Sequence, residues 1–217
     1  MPVSQPRSSA SPPLRGQGGV VAVPWWAVAS AVLAPVALIG GYLYAGSLVP
    51  GYDPIRSTIS DLAAAGAPNR EVMTVALVLT GLAHIVTAVG LRPADVAGRG
   101  LLAFGGVALL VVAWIPNNAP GHNVLGHVFA AYLSFGALSA WPAVIARAVP
   151  NPPVVLRRRF GQLLASVLGI LVLVTLVDII TGGATLGLRE RLLASAQAIA
   201  PLLVVGGLLG RDAAPRG

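Results

Sequence analysis

The chain has 217 residues, of which 56% are hydrophobic and only 10% charged, with a mean hydropathy of +0.82. Soluble domains carry about 25% charged residues, so there is too little polar surface here for a water-soluble globule. This excludes a cytosolic enzyme and a disordered chain and points to one integral membrane domain. The net charge of +7 would, without that context, suggest a nucleic-acid partner. Cysteine is absent, which excludes a disulfide, a thiolate metal site and a cysteine nucleophile. All fourteen basic residues are Arg. Together with the Ala, Gly, Val and Pro richness, this is the compositional habit of a high-GC bacterial genome.

Residues 1–23 are rich in Ser, Pro and Gly, without periodicity, and read as a flexible cytoplasmic tail. The apolar run Trp25–Tyr44 is too long for the core of a signal peptide. No clean small-x-small site follows it, so it reads as an uncleaved first span. A bilayer core takes about 20 apolar residues as helix. Six such stretches follow one another, at 24–45, 71–91, 99–116, 124–147, 160–180 and 191–209, with a second tail at 210–217. The expected fold is all-α: six transmembrane helices in one bundle, with a short amphipathic helix in the first outer loop. Trp25, Trp26, Tyr42 and Tyr44 flank span one, and Trp114 and Trp141 lie close to span ends, where the headgroup layer favours amphipathic rings. Pro35 and Pro201 are expected to kink their spans, and Gly105-Gly106 and Gly206-Gly207 to permit close helix approach.

Arg placement sets the expected direction. With both termini cytoplasmic, the inner segments hold ten Arg, including Arg157-Arg158-Arg159, and the outer segments hold four. Most acids, Glu190 among them, fall outside. The expected location is the bacterial plasma membrane, multi-pass. The basic excess is then a topology signal, and nucleic acid is not an expected partner. The expected role of the Arg triplet is headgroup contact.

Four of the five connections are short; the exception is 46–70, GSLVPGYDPIRSTISDLAAAGAPNR. Asp53-Pro54 reads as a helix start and Gly66 with Pro68 as a stop. At about 100° per residue, Ile55, Ile59, Leu62 and Ala63 share one side, and Arg56, Ser57, Ser60 and Asp61 the other. Asn69 is placed to cap span two. The amphipathic helix either lies on the membrane surface with its polar side in water, or forms a wall of an outer pocket.

The run YDPIRSTISDLAAAGAPN resembles the signature of a six-helix bacterial membrane-protein family, catalogued as domain of unknown function 998. Tyr52, Pro54, Ser60, Asp61, Leu62, Gly66 and Pro68 carry the likeness. The turn Ile115-Pro116-Asn117-Asn118, with Asn where the family commonly has an acid, and His127 at the start of span four are similar to it as well. The resemblance extends over about residues 24–209. It implies the six-helix topology and no activity, since the family has none assigned.

The candidate site gathers the polar residues expected at the outer face: Asp53, Arg56, Ser57, Ser60, Asp61, Asn117, His122, His127, Asp178 and Arg189. Asp178 needs a partner near hydrocarbon, and His127, Arg189 and Arg56 are the candidates. Ser57 or Ser60 with His127 and Asp178 has the residue types of a Ser-His-Asp hydrolase, without a supporting motif. His122 and His127 diverge by about 140° on one helix, so no metal site is expected. No phosphate loop or dinucleotide fingerprint occurs, so no cofactor is expected. His84, deep in span two, is expected to hydrogen-bond a neighbouring helix.

Three function classes follow. The leading expectation is an accessory protein that binds a lipid or envelope component at the outer face. The alternatives are a membrane-embedded hydrolase acting there and a small transporter. The absence of an internal repeat and of a mid-membrane carboxylate weakens the transporter. Membrane lipid is the expected partner, with another membrane protein or a second copy of the chain as further possibilities.

Overall fold

The computed structural model describes residues 22–147 and 149–212. The tails at 1–21 and 213–217 lie outside them. Seven α-helices form in the described residues, with no strand among them. They are α1 (Trp25–Ser47), α2 (Ile59–Leu62), α3 (Arg70–Gly90), α4 (Val96–Trp114), α5 (Leu125–Ala140), α6 (Arg158–Thr181) and α7 (Leu186–Asp212). All except α2 are long and apolar enough to cross a membrane, α5 together with the turn that continues it to Val144. This is a multi-pass membrane protein.

The six long helices follow one another round a ring in chain order, each against the next, and α7 closes it against α1. The alternation puts the chain's entry into α1 and exit from α7 at one end, the terminal end. Residues 48–69, 115–124 and 182–185 gather at the other, the first-loop end. The outside of the ring is apolar. On α6 only 17% of the membrane-spanning window is buried. Leu163, Val167, Ile170, Leu173, Val177 and Ile180 form an exposed stripe at helical spacing. In water such a stripe would aggregate; against acyl chains it is at rest.

Without a hydrophobic drive between helices in lipid, packing rests on small residues and buried polar pairs. Gly81 of α3 and Gly106 of α4 face each other so closely that a Cβ on Gly81 would lie 2.8 Å from the Gly106 carbonyl oxygen. Gly105 takes Leu138 in the same way, so Gly105-Gly106 is a crossing point as expected. Gly207 packs on Val155, whereas Gly206 is open. Ser30 and Thr87 hydrogen-bond at 2.7 Å between α1 and α3. Gln197 of α7 donates to the Phe135 carbonyl at 2.9 Å and the Ser139 hydroxyl at 2.8 Å on α5.

Several boundaries differ from the sequence expectation. Span four breaks at Ala140 into a 3-10 turn, Trp141–Val144, because Pro142 cannot continue the α-helical hydrogen-bonding. Trp141 is fully buried in the core of the terminal end, while Trp25 and Trp114 are exposed at helix ends. Asn69 adopts left-handed backbone, φ 53°, and its side chain does not cap α3. The last span begins at Leu186, about a turn earlier than residue 191, and so takes Arg189 and Glu190 into the helix together with Arg191.

Candidate functional site

Asp53 does not start the helix. Its Oδ1 accepts the N–H groups of Ile55 at 2.9 Å and Arg56 at 3.4 Å and closes a turn. Pro54 fits that turn as well as it fits a first helical position, since both want φ near −65°. The helix begins at Ile59, behind a reciprocal cap. Thr58 Oγ1 accepts the Asp61 N–H at 3.0 Å, and Asp61 Oδ2 accepts the Thr58 N–H at 2.8 Å. Ile59 and Leu62 are buried. Thus α2 does not rest on a surface with its polar side in water. It sits across the first-loop end of the ring, touching α1, α3 and α7.

Arg191 holds this lid-like loop down. It is buried, and its Nη1 donates to the carbonyls of Pro54 at 2.9 Å, Ser57 at 2.7 Å and Gly187 at 2.8 Å. Its Nη2 donates to the Tyr52 hydroxyl. The guanidinium also lies 5.4 Å from the ring centres of both Tyr42 and Tyr52, within cation–π range. Burial pushes the Tyr52 phenol above its ordinary value despite the Arg191 charge. The phenol therefore keeps its proton and donates it toward the Ser57 and Thr58 carbonyls, at 3.3 and 3.2 Å. Gly187 permits the contact, because any Cβ there would collide with the Ser57 carbonyl.

The loop is also tied to the turn after α4. Asp61 Oδ1 accepts the Gly121 N–H at 2.8 Å, and the Ala65 N–H donates to the Asn117 carbonyl at 2.8 Å. Asn117, fully buried, orders that turn. Its Oδ1 accepts the Val124 N–H at 3.0 Å, and its Nδ2 donates to Asn123 Oδ1 at 3.3 Å.

Beneath α2 lies a chain of three side chains from three elements. His127, on the first turn of α5, has Nδ1 2.7 Å from the Ile115 carbonyl and Nε2 3.0 Å from Ser60 Oγ. Ser60 Oγ is also 3.3 Å from Glu190 Oε1. Glu190 Oε2 accepts the Ile59 N–H at 2.8 Å. His127 and Glu190 are both buried.

Two cavities meet at this chain, sharing Ser60 and Glu190. The first opens between α5, α6 and α7 and is walled by Val128, Tyr132, Ile179 and Leu186, with His127 and Asn123 at its polar end. Its volume is about 130 Å³, room for roughly four waters at about 30 Å³ each. The second runs down the middle of the ring past Leu77, Leu109 and Ala194 to Thr80, His84, Ser134 and Gln197. Its volume is about 40 Å³, room for roughly one water. Gln197 is seven residues beyond Glu190, about 10 Å deeper along α7. His84 therefore does not stand apart from the site: it ends the inner chamber, and its Nδ1 has no hydrogen-bond partner among the described residues.

Of the expected site residues, Ser60, Asn117 and His127 line the cavities. Asp61 lies next to them but acts as a clamp. Ser57 contributes its backbone carbonyl, to Arg191. Asp53 and Arg56 pair with each other at 3.6 Å, exposed on the loop. His122 is exposed, with Nδ1 3.2 Å from the Pro120 carbonyl. Asp178 has Arg189 as its partner, at 3.3 Å, joined by Thr185 Oγ1 at 3.1 Å. This pair fastens the α6–α7 turn and does not line the cavities, so Asp178 cannot serve as the acid of a triad with His127. Among the described residues no group of three His, Cys, Asp or Glu side chains could hold a metal.

A span six that starts at residue 191 leaves Glu190 in the outer loop and Arg191 at the edge of the helix, so neither enters the candidate site read from the sequence. A signal existed. Arg189, Glu190 and Arg191 are consecutive, and at about 100° each they sweep about 200° of a helix. If that helix packs on anything, at least one charge must turn inward.

A family model described as protein of unknown function (DUF998) matches residues 18–207. No curated protein and no solved structure matches the chain.

Proposed function

The chain belongs to the DUF998 family, whose function is unknown, so we propose a function from its site: binding of a membrane amphiphile, its polar head at Ser60, His127 and Glu190. In this reading both termini are cytoplasmic and the first-loop end faces outward, in the direction the Arg distribution favours. The observation that carries it is the pair of cavities meeting at one buried polar chain. The walls are apolar and the polar groups few and convergent, as in small-molecule sites. The wider cavity opens beside α6, the helix most exposed to lipid, so an acyl chain can remain in the bilayer while the head enters.

Ala131 lines both cavities, so Ala131→Trp fills their junction. The protein purified in mild detergent is expected to retain a co-purifying amphiphile in native mass spectrometry. The variant, melting at the same temperature, is expected to retain less by at least ~10-fold, about 1.4 kcal/mol of affinity. Equal retention by both, or none by the wild type, overturns the reading.

A second reading is favoured by one observation. His127 has Nδ1 on a carbonyl and Nε2 on a serine hydroxyl, the arrangement of a Ser-His hydrolase with Ile115 in place of the acid. Two features oppose it. Glu190 touches the same hydroxyl, so a developing oxyanion would meet a carboxyl group. The nearby Ile59 and Gly121 N–H groups are already taken by Glu190 and Asp61, which leaves neither of them free to form an oxyanion hole. A fluorophosphonate probe is therefore expected to leave Ser60 unlabelled. A Ser60 adduct lost in His127→Ala would instead establish the hydrolase.

A further inference from the structure

The Glu190–Ser60–His127 chain can be counted proton by proton. The Ile115 carbonyl only accepts, so the hydrogen on that 2.7 Å contact belongs to His127 Nδ1. Nε2 then faces Ser60 Oγ at 3.0 Å, and Oγ faces Glu190 Oε1 at 3.3 Å. Two contacts need two hydrogens, and the hydroxyl has one. The second sits either on Oε1 or on Nε2. Both contacts are made only when the chain carries one further proton, as carboxylic acid with imidazole or as carboxylate with imidazolium. Both forms are net neutral, and a double transfer through the Ser60 hydroxyl interconverts them.

The surrounding charges decide what can replace that proton. From α7, Arg191 is next to Glu190, but its guanidinium faces the loop carbonyls and Tyr52 and lines neither cavity. From α2, both oxygens of Asp61 are occupied by N–H groups. Arg189 is held by Asp178 between α6 and α7, and His122 is exposed on its turn. From α1, the Tyr42 hydroxyl is engaged with Ser195 at 3.2 Å. Tyr132 of α5 stands in the outer wall and His84 of α3 at the foot of the inner chamber. Among the described residues no Arg side chain lines either cavity, so an anionic head would meet no fixed counter-charge from them. A cationic head would meet the Glu190 carboxylate, with Tyr132 and Phe135 beside it to face an ammonium.

We infer that the outer cavity takes a cationic amphiphile in exchange for the one proton shared by Glu190, Ser60 and His127. This rests on the binding reading above and adds its ligand class and its coupling. The protonated site plus a cation gives the occupied site plus one proton released to water, and no covalent bond changes. The free site binds one more proton than the occupied site. Raising the pH therefore favours occupancy.

The test uses calorimetry on the full chain in neutral-detergent micelles, with empty micelles subtracted. The probes are octyltrimethylammonium, octyl glucoside and octyl phosphate. The ammonium is expected to bind tightest, with affinity rising as pH rises, by ~10-fold per pH unit wherever the free site holds the shared proton. Two buffers of different ionisation enthalpy are expected to report about one proton released per cation. Glu190→Gln keeps an acceptor for the Ile59 N–H and cannot ionise. It is expected to lose the proton release and at least ~10-fold in affinity for the ammonium. The wild-type comparison of probes needs no variant and decides the matter even if Glu190→Gln does not accumulate. Ammonium binding without proton release overturns the exchange. Tighter binding of the glucoside or the phosphate overturns the cation preference and leaves the amphiphile reading standing. Failure of all three probes to bind overturns both.

Discussion

Arg191→Met is expected to destabilise the folded chain by about 3–5 kcal/mol, the scale seen when one partner of a buried charged network is removed. The guanidinium is the donor for the Pro54, Ser57 and Gly187 carbonyls and for the Tyr52 hydroxyl. Methionine fills much of the volume and donates nothing. Each acceptor left dry costs about 1–3 kcal/mol, so the loop is expected to lift toward water. Melting in detergent checks the loss, and limited proteolysis within residues 48–58 checks its location. Arg191→Lys keeps the charge without the planar fork and is expected to recover only part of it. If Arg191→Met melts with the wild type and resists protease, the loop is not held by this side chain. Amphiphile binding is expected to fall in the same variant, because α2 carries Ser60.

Asp61→Ala is expected to cost about 2–5 kcal/mol. That combines a helix cap, about 0.5–2 kcal/mol, with a carboxylate–amide hydrogen bond of about 1.5–3 kcal/mol. The capping box of α2 opens and the Gly121 N–H loses its acceptor. Asp61→Asn retains one acceptor oxygen and is expected to fall between the two. The informative comparison is with Glu190. At a temperature where the variant is folded, Asp61→Ala is expected to retain the pH dependence of amphiphile binding that Glu190→Gln loses. If Asp61→Ala abolishes that dependence while the fold stands, then Asp61 belongs to the proton-sharing chain and the assignment to Glu190 is wrong.

These two variants also mark where the sequence was legible. Asp61 was visible as a polar residue on one face of a short helix, but its task was misread. A carboxylate three residues after a threonine is a capping pair, and the more prominent Asp53-Pro54 drew the helix start five residues too early. Ser60 and His127 are both legible as site residues from their type and their end of the bundle. That they touch could not be read, since 67 positions separate them. The Arg189–Asp178 pair is legible as one of the candidate pairings, because a buried carboxylate next to a short turn reaches first for the nearest cation.

Hydropathy by itself determined that six helices cross a membrane, because burying unpaired backbone in hydrocarbon leaves helices as the one solution for such runs. It also determined that the first loop is the long one, and the helical spacing of Ile59 and Leu62 placed a helix within it, though not where that helix begins. Only the tertiary structure decided which polar groups share a proton. Closing six helices into a ring turns consecutive residues of α7 to opposite tasks. Arg191 faces the loop and holds it down, and Glu190 faces the cavity beneath. A linear pattern records that both are charged; the rotation and height of α7 against α2 and α5, set by packing such as Gly187 under Ser57, assigns each its place.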